Sequence, residues 1–463
     1  MGRGRGDLDG RGGQGRVGGL TLAALLSATF AGSYYSNVAL VPLGPILDHF
    51  HTGVGMGVLV LGAFAVTLAA TTPLASHLGD RGGWTRVLVA GLAVVAVGSV
   101  AAALSPSFAF LVGVRVVQGA AAAVIVPGVM IHLSTTVAER DRPFAMGLWS
   151  SANSLGRLVA VPLGGLLASL AGWSSVFWSS VPAMGIAALA IFFLVPRKPP
   201  RPIVTDWSSA GGLTAGAALG LGGLTALSTG VDGAVAGVPL MVAGAALVAT
   251  AWRRGARASH PLVPVGLLRS PTLLRSSLGG FVQMATIMVD ITAVSLYLVR
   301  STGTSPATAG LVALAFPGVM VVVSWLAGYA MRRLGGRRVF SWGLGLLAVG
   351  QVLIALATAR GVGVGPLLAG ALGLAGGGAA LVQTSSAGGA TRPGAADSSA
   401  AVGAFNLIRF SGTAAGAAWL AIVLSLGGSY PLLFASCAAV AVGSLALSSR
   451  LGGEKMPLGV KSP

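Results

Sequence analysis

The chain has 463 residues, 54% of them hydrophobic and only 9% charged, against about 25% charged in a typical soluble domain, so most of its surface does not face water. The formal charge of +18 does not point to nucleic acid, because the Lys and Arg residues lie in short loops between long apolar runs instead of clustering on one polar face. That placement excludes a soluble nucleic-acid binder and is the pattern of a membrane protein.

Residues 1–19 form a basic tail. Leu20 to Phe30 resembles a signal-peptide core, but apolar character continues through Val38–Leu43, which makes it a first membrane helix. A helix needs about 20 apolar residues to cross the hydrocarbon core. Runs of that length lie near 20–42, 54–76, 85–104, 108–134, 144–170 and 174–195, and Pro196–Pro202 closes the group. Two more follow near 207–228 and 235–252, then a polar, Arg-bearing stretch from Arg253 to Arg275. Six further runs lie near 276–299, 306–330, 339–358, 364–388, 398–425 and 429–449. The expected fold class is an all-α polytopic membrane protein with 14 spans. Its predicted divisions are an N-terminal six-helix bundle (20–196), a linker with two inserted transmembrane helices (197–272), a C-terminal six-helix bundle (273–449) and a basic tail (450–463).

The positive-inside rule tests the count. With a cytoplasmic N-terminus, 24 of the 29 basic residues fall in cytoplasmic loops and tails, Arg300 and Arg360 fall outside, and Arg115, Arg157 and Arg409 fall within spans. One missed helix would invert every later loop, so the partition predicts both termini in the cytoplasm.

The two halves repeat each other. Ser76–Arg86, after the second span, matches Gly328–Arg338 at an offset of 252 residues. Gly147, Gly156 and Ala160 in the fifth span match Gly403, Gly412 and Gly416 at an offset of 256. Duplicated halves around a midplane cavity are a transporter architecture. At these residues the sequence resembles the major facilitator superfamily, specifically its fourteen-helix drug:proton antiporters. Ser76–Arg86 is similar to the family's signature between helices two and three, which implies a cytoplasmic gate at Asp80, Arg81, Gly83 and Arg86. Arg115-Val-Val-Gln118-Gly119 resembles the fourth-helix motif, and Gly147, Gly156, Pro162, Gly164 and Gly165 resemble the antiporter motif of helix five. Weaker echoes are Asn37–Leu40, Gly172-Trp173 to Pro182, Asp206-Trp207 and Pro306 to Pro317. The sequence departs from the pattern at Ser76, at Trp84-Thr85 where a basic pair is displaced, at Ala160, and at Ala31-Gly32-Ser33, where many relatives carry an acid.

Asp290 is the only acid inside an expected span. An Asp at a helix centre costs about 2.5–3.5 kcal/mol on insertion scales, so it requires a role. Gln283, Asp290 and Tyr297 share a helix face, which predicts a polar stripe along a wet cavity. Asp290 either binds the coupling proton or a cationic substrate, or is a structural acid paired with an Arg such as Arg409. The guanidinium of Arg115, with Gln118 one turn on, must face a cavity or an acid; the resemblance implies a part in proton coupling. Arg157 and Arg409 lie outside the family pattern and either receive an anionic or carbonyl-rich substrate or snorkel to an interface. Asn37, Asn153 and Asn406 are polar residues at midplane depth, which interhelical hydrogen bonding explains as well as substrate contact does. The expected substrate cavity thus comprises Gln118, Gln283, Asn37, Asn153, Asn406, Arg157 and Arg409.

There is no phosphate-binding loop, the His residues show no metal spacing, and the lone Cys437 excludes an intrachain disulfide. The expectation is no enzyme, no cofactor and no metal. A monomer in a bacterial cell membrane would exchange protons for a small, partly apolar organic molecule, such as a drug or antibiotic. The alternatives are a narrow-specificity carrier or symporter, or a non-transporting membrane protein of the same fold.

Overall fold

The structure is a computed structural model that describes residues 18–39, 42–52, 56–197, 200, 206–227, 231–255, 270–392, 398–425 and 427–451. The expected basic tail up to residue 17, Leu40, most of the stretch after Arg197, residues 256–269 of the Arg-bearing stretch and the tail beyond 451 lie outside the described residues.

In chain order the helices are α1 (Gly19–Val38), α2 (Leu43–His49), α3 (Gly57–Gly82), α4 (Trp84–Ala103), α5 (Phe108–Ala122), α6 (Ile125–Thr136), α7 (Arg142–Ala171), α8 (Ser174–Leu194), α9 (Trp207–Leu227), α10 (Val231–Gly255), α11 (Pro271–Thr302), α12 (Pro306–Ala313), α13 (Ala315–Leu334), α14 (Gly336–Ala359), α15 (Pro366–Ala390), α16 (Ser398–Ser425) and α17 (Tyr430–Arg450). Every regular element among the described residues is helical, since a helix satisfies its own backbone polar groups in lipid.

Thirteen helical stretches among the described residues are long and apolar enough to cross a membrane. Two of them are helix pairs joined end to end, α5 with α6 and α12 with α13. Each joint precedes a proline, Pro127 or Pro317, at the third position of the following helix. A proline there has no N–H for the carbonyl four residues back, and its ring crowds that carbonyl. The expected first span, α1, is not among the thirteen: its second half carries Ser33, Tyr34, Tyr35, Ser36 and Asn37. It packs against α7 and α8, and its exposed residues all precede Ala24. The expected count of fourteen therefore depends on α1, a helix shielded by protein.

Two apolar cores are the largest. One joins buried residues of α1 and α3–α8, such as Leu25, Leu88, Met130, Trp149 and Met184, and reaches Leu273, Ala387, Val402 and Phe405. The other lies wholly within α11–α17, around Val294, Phe316, Leu347, Leu372 and Phe434. Val97, Leu170, Ile186, Phe193, Val235 and Leu311 are exposed on the outside, as lipid-facing residues are. α9 and α10 form a hairpin with glycines at the contact: a Cβ on Gly223 would lie 2.5 Å from the Gly237 carbonyl oxygen, and one on Gly244 2.5 Å from the Gly220 nitrogen. Small residues allow such approach between membrane helices. α9 in turn lies against α3 and α16. Asp206 caps it, accepting hydrogen bonds from the Ser208 and Ser209 amides at 3.1 and 3.2 Å. The hydroxyls of Ser209 and Ser208 also donate to it, and together these bonds hold its carboxyl down at about 2.

The halves meet along two seams, α7 against α13 and α3 against α16. The seams are closed toward the end of the molecule where Asp80–Arg86, Asp141-Arg142, Arg275, Arg332–Arg338 and Arg392 lie, called the Arg-rich face below: at that end Arg332 pairs with Asp141 at 3.5 Å and Ser399 donates to Asp80 at 2.7 Å.

Candidate functional site

The repeat in the sequence becomes a repeat of contacts. Gly83 (φ 84°) and Gly335 (φ 84°) make the same tight turn between consecutive helices, in the left-handed region that only glycine enters without strain. Asp80, one turn before Gly83, accepts hydrogen bonds from Trp84 Nε1 at 2.8 Å and Ser399 Oγ at 2.7 Å. Ser399 lies in the first turn of α16, where a carboxylate is favoured by the helix dipole. The departure at Trp84 is thereby explained. Its indole packs over Gly79 and Gly128 and donates to the Asp80 carboxylate, while Thr85 donates to the Pro196 carbonyl at 3.0 Å. Arg81 stacks over the Trp207 ring at 5.7 Å, tying α9 to this turn, and Arg86 is exposed.

The glycine motif of α7 faces two neighbours. A Cβ on Gly147 would lie 2.9 Å from Gly328 Cα across the seam, and one on Gly156 2.5 Å from the Phe30 carbonyl oxygen of α1. In the second half Gly412 and Gly416 abut the Phe281 and Ala285 carbonyls of α11 in the same way. Pro162 stands inside α7 without ending it. Gly164 is buried and Gly165 half-buried.

At mid-depth the seam between α7 and α13 continues into a polar cluster. Gln383 of α15 donates to Ser150 Oγ of α7 at 2.6 Å. Its Oε1 accepts from Gln283 of α11 at 3.1 Å and from Arg409 of α16 at 3.3 Å. Arg409 also donates to Asn406 at 3.5 Å, and its guanidinium lies 5.5 Å from the Trp149 ring and 5.3 Å from that of Phe410. Arg157 donates to Asn153 Oδ1 at 3.3 Å. Its Nη1, the indole N–H of Trp149 and Gln283 Oε1 are buried without a hydrogen-bond partner. Arg157 and Arg409, 8% and 1% exposed, act on each other electrostatically. Neither forms an ion pair: the salt bridges among the described residues are Arg140–Asp141 and Arg332–Asp141. Both side chains lie buried inside the protein.

Of the expected cavity residues, the structure gathers Gln283, Asn153, Asn406, Arg157 and Arg409. Asn37 instead donates to the Ser33 carbonyl of its own helix at 2.7 Å. Gln118 sits apart with Arg115, donating to Ser99 at 3.3 Å. Arg115 is held inside the first half, donating to Tyr35 Oη at 2.5 Å, to Gln118 at 3.4 Å and to the Val60 carbonyl at 3.3 Å, with the Phe64 ring 4.3 Å away.

Asp290 is fully inaccessible, and among the described residues it is paired with neither Arg409 nor any other cation. Gln351 Nε2 of α14 reaches both carboxyl oxygens, at 2.9 and 2.7 Å. The stripe of Gln283, Asp290 and Tyr297 does share one face, but the wet cavity expected along it is closed. Gln283 meets Gln383, Asp290 meets Gln351, and Tyr297 donates to the Val362 carbonyl at 2.9 Å. Gln383, Gln351 and Trp149 were not among the residues expected from the sequence. Gln351 had a usable signal, a lone amide in the middle of an apolar run.

Residues 23–289 match the family model described as Major Facilitator Superfamily. The chain is 28% identical over 349 residues, 72% of its length, to the tetracenomycin C resistance and export protein of Streptomyces glaucescens. It is 30% identical over 324 residues, 67% of its length, to the multidrug efflux pump LfrA of Mycolicibacterium smegmatis. The matches span 61% and 62% of those relatives' own lengths. Among solved structures, the human organic anion transporter MFSD10 is similar with a TM-score of 0.66 over 92% of this chain and 99% of that one, at 19% identity; that likeness concerns the fold alone.

Proposed function

Since the chain belongs to the major facilitator superfamily, a family of membrane transporters, we propose that it is a proton-coupled exporter of a small, partly apolar organic molecule bearing an acidic or carbonyl-rich group. The relatives named as export and efflux proteins support the direction of transport. The observation that carries the substrate reading is the pair Arg157 and Arg409. An arginine at a helix centre costs about 2.5–3.5 kcal/mol on insertion scales, and here two lie near each other with no described acid beside either. An anionic or carbonyl oxygen offered to the free Nη1 of Arg157 offsets that cost, while Trp149 and Phe410 supply apolar surface beside Arg409.

Export then requires the site to open alternately to the two sides. The Arg-rich face, taken as cytoplasmic with both termini on that side, is closed by the Asp80–Ser399 and Asp141–Arg332 contacts. Opening it breaks these and the Gln383–Ser150 bond, which frees the polar cluster to accept substrate. The proton is assigned to Asp290. Among the described residues its carboxyl has one neutral partner, Gln351, and no cation, so it can be held with or without a proton. It shares α11 with Gln283, seven residues away and hence about two turns along the same face. Any change in the Asp290–Gln351 contact on proton binding moves the helix that holds Gln383. Arg115 positions α1 against α5 through Tyr35 in this account.

The test uses a bacterium stripped of its own pumps, with and without the protein. Expression should raise tolerance to growth-inhibiting amphipathic acids, and a protonophore should abolish the gain. Asp290→Asn should insert and bind normally but lose both the gain and substrate-induced proton movement. Proton-driven transport undiminished in that variant would remove Asp290 from the coupling.

A further inference from the structure

A second basic site, separate from the midplane cluster, lies between the halves at the Arg-rich face. It is a cavity of about 260 Å³ lined by Arg142 of α7, Arg275 of α11, Arg337 of α14 and Arg392, which follows α15; among the described residues Glu139 is the one acid in its lining. Four permanent cations converge there against one carboxylate. The space far exceeds the roughly 10–15 Å³ that one water needs.

Arg275 decides what the cavity is for. It is only 7% exposed, and its Nη1 is buried without a hydrogen-bond partner. Two of the other arginines are partly occupied: Arg142 donates to the Val137 carbonyl at 3.2 Å and Arg337 to the Ser449 carbonyl at 3.2 Å, which leaves the rest of each guanidinium for a ligand. Leaving a buried guanidinium nitrogen unpaired is costly, and an ordinary surface of positive-inside charge does not bury an arginine. The remaining lining fits an oxyanion as well. Ser276, Ser385, Thr272 and Thr391 bring hydroxyls. Gly336 and Arg337 belong to the first turn of α14, whose preceding residue Gly335 has no side chain to cap the turn's amides, and such a turn attracts negative charge.

We infer that this cavity binds a phosphate group, held by Arg142, Arg275, Arg337 and Arg392. Planar guanidiniums bind phosphate oxygens through paired charge-assisted bonds, and basic pockets between membrane helices suit lipid head groups. The phosphate comes either from an anionic phospholipid or from a free phosphate. Arg142 belongs to the first half and the other three arginines to the second, so a bound phosphate ties the halves together beside the Asp141–Arg332 pair and favours the conformation in which this face is closed. The site does not depend on what the protein exports.

The purified full-length protein in neutral detergent tests this. The thermal midpoint is measured in inorganic phosphate and in chloride at equal ionic strength, then in nanodiscs of phosphatidylcholine with and without phosphatidylglycerol. The wild type should gain several degrees from at least one of the two phosphate sources, and which one does so identifies the source. Arg275→Gln and Arg392→Gln should each lose the gain, and Arg450→Gln, exposed and near the cavity but not in its lining, should keep it. Spin labels replacing Arg140 and Arg338, in a Cys437→Ala background, should report a narrower, closed distance distribution with the effective phosphate source. No gain from either source would overturn the inference. So would an equal loss in Arg450→Gln, which would show diffuse surface charge, or a gain retained in both pocket variants.

Discussion

The two seams between the halves are related by the internal repeat, yet they are built differently. At the first, glycine meets glycine: a Cβ on Gly328 would lie 2.8 Å from the Pro143 carbonyl oxygen and 3.0 Å from Gly147 Cα. At the second, Ser76 stands where the repeat has Gly328, opposite Gly403, whose Cβ would meet Ser76 Oγ at 2.9 Å and Pro73 Cα at 3.1 Å. The latches differ likewise. In the first half Asp80 accepts from Ser399; its repeat counterpart, Arg332, pairs with Asp141 just before α7. One position thus carries opposite charge in the two halves, and each charge finds a partner near the start of the facing helix. A duplicated fold needs the contact at both seams but not the same chemistry. The first seam closes by backbone approach and a surface ion pair, the second by a half-buried acceptor.

That comparison is broken most severely at the first seam. Gly147→Ala or Gly328→Ala forces backbone apart, and overpacking of this kind costs about 1–3 kcal/mol. Each should lower the thermal midpoint measured in detergent and leave the Arg-rich face more accessible to thiol reagents. Gly403→Ala should cost less, because a serine hydroxyl can turn away, and adding Ser76→Gly should recover part of the loss.

The latches come next. Asp80→Ala strands Trp84 Nε1 and Ser399 Oγ, a loss of about 1–3 kcal/mol. Asp141→Asn removes a pair whose side chains are 36% and 42% exposed, which is worth about 0–1 kcal/mol. Unfolding midpoints of the two variants, measured together, rank the latches; equal losses would contradict the assigned difference. The smallest effect concerns the cap of α9. The carboxyl of Asp206 is depressed to about 2, so its contribution is present above the ordinary carboxylate range and is lost only as pH falls through about 2. Hydrogen exchange at the start of α9 should therefore show equal protection of the Ser208 and Ser209 amides at pH 7 and pH 4, after correction for the intrinsic rate.

The helices, the repeat and the glycine notches were legible in the sequence because each is a local signal: an apolar run, a fixed offset, a small residue at helical spacing. The partners were not. Gln383 joins Ser150 across 233 residues, and Asp80 joins Ser399 across 319, and no periodicity links such positions. The stripe of Gln283, Asp290 and Tyr297 was correctly placed on one face, but a face does not say whether water or another helix covers it. The Trp84 departure read as a weakened signature; only its stacking over Gly79 and its bond to Asp80 reveal a replacement with its own role.

Arg157 and Arg409, buried with no acid beside either among the described residues, are the proposed receptors of an acidic substrate group. The most direct measurement is export from inside-filled proteoliposomes of a matched pair of probes, an aromatic carboxylic acid and its uncharged amide, by the wild type and by Arg157→Gln and Arg409→Gln. The account predicts that the wild type exports the acid at least ten-fold faster than the amide, and that each variant loses most of that preference while remaining folded. Equal handling of acid and amide by the wild type, or a preference unchanged in both variants, would contradict it.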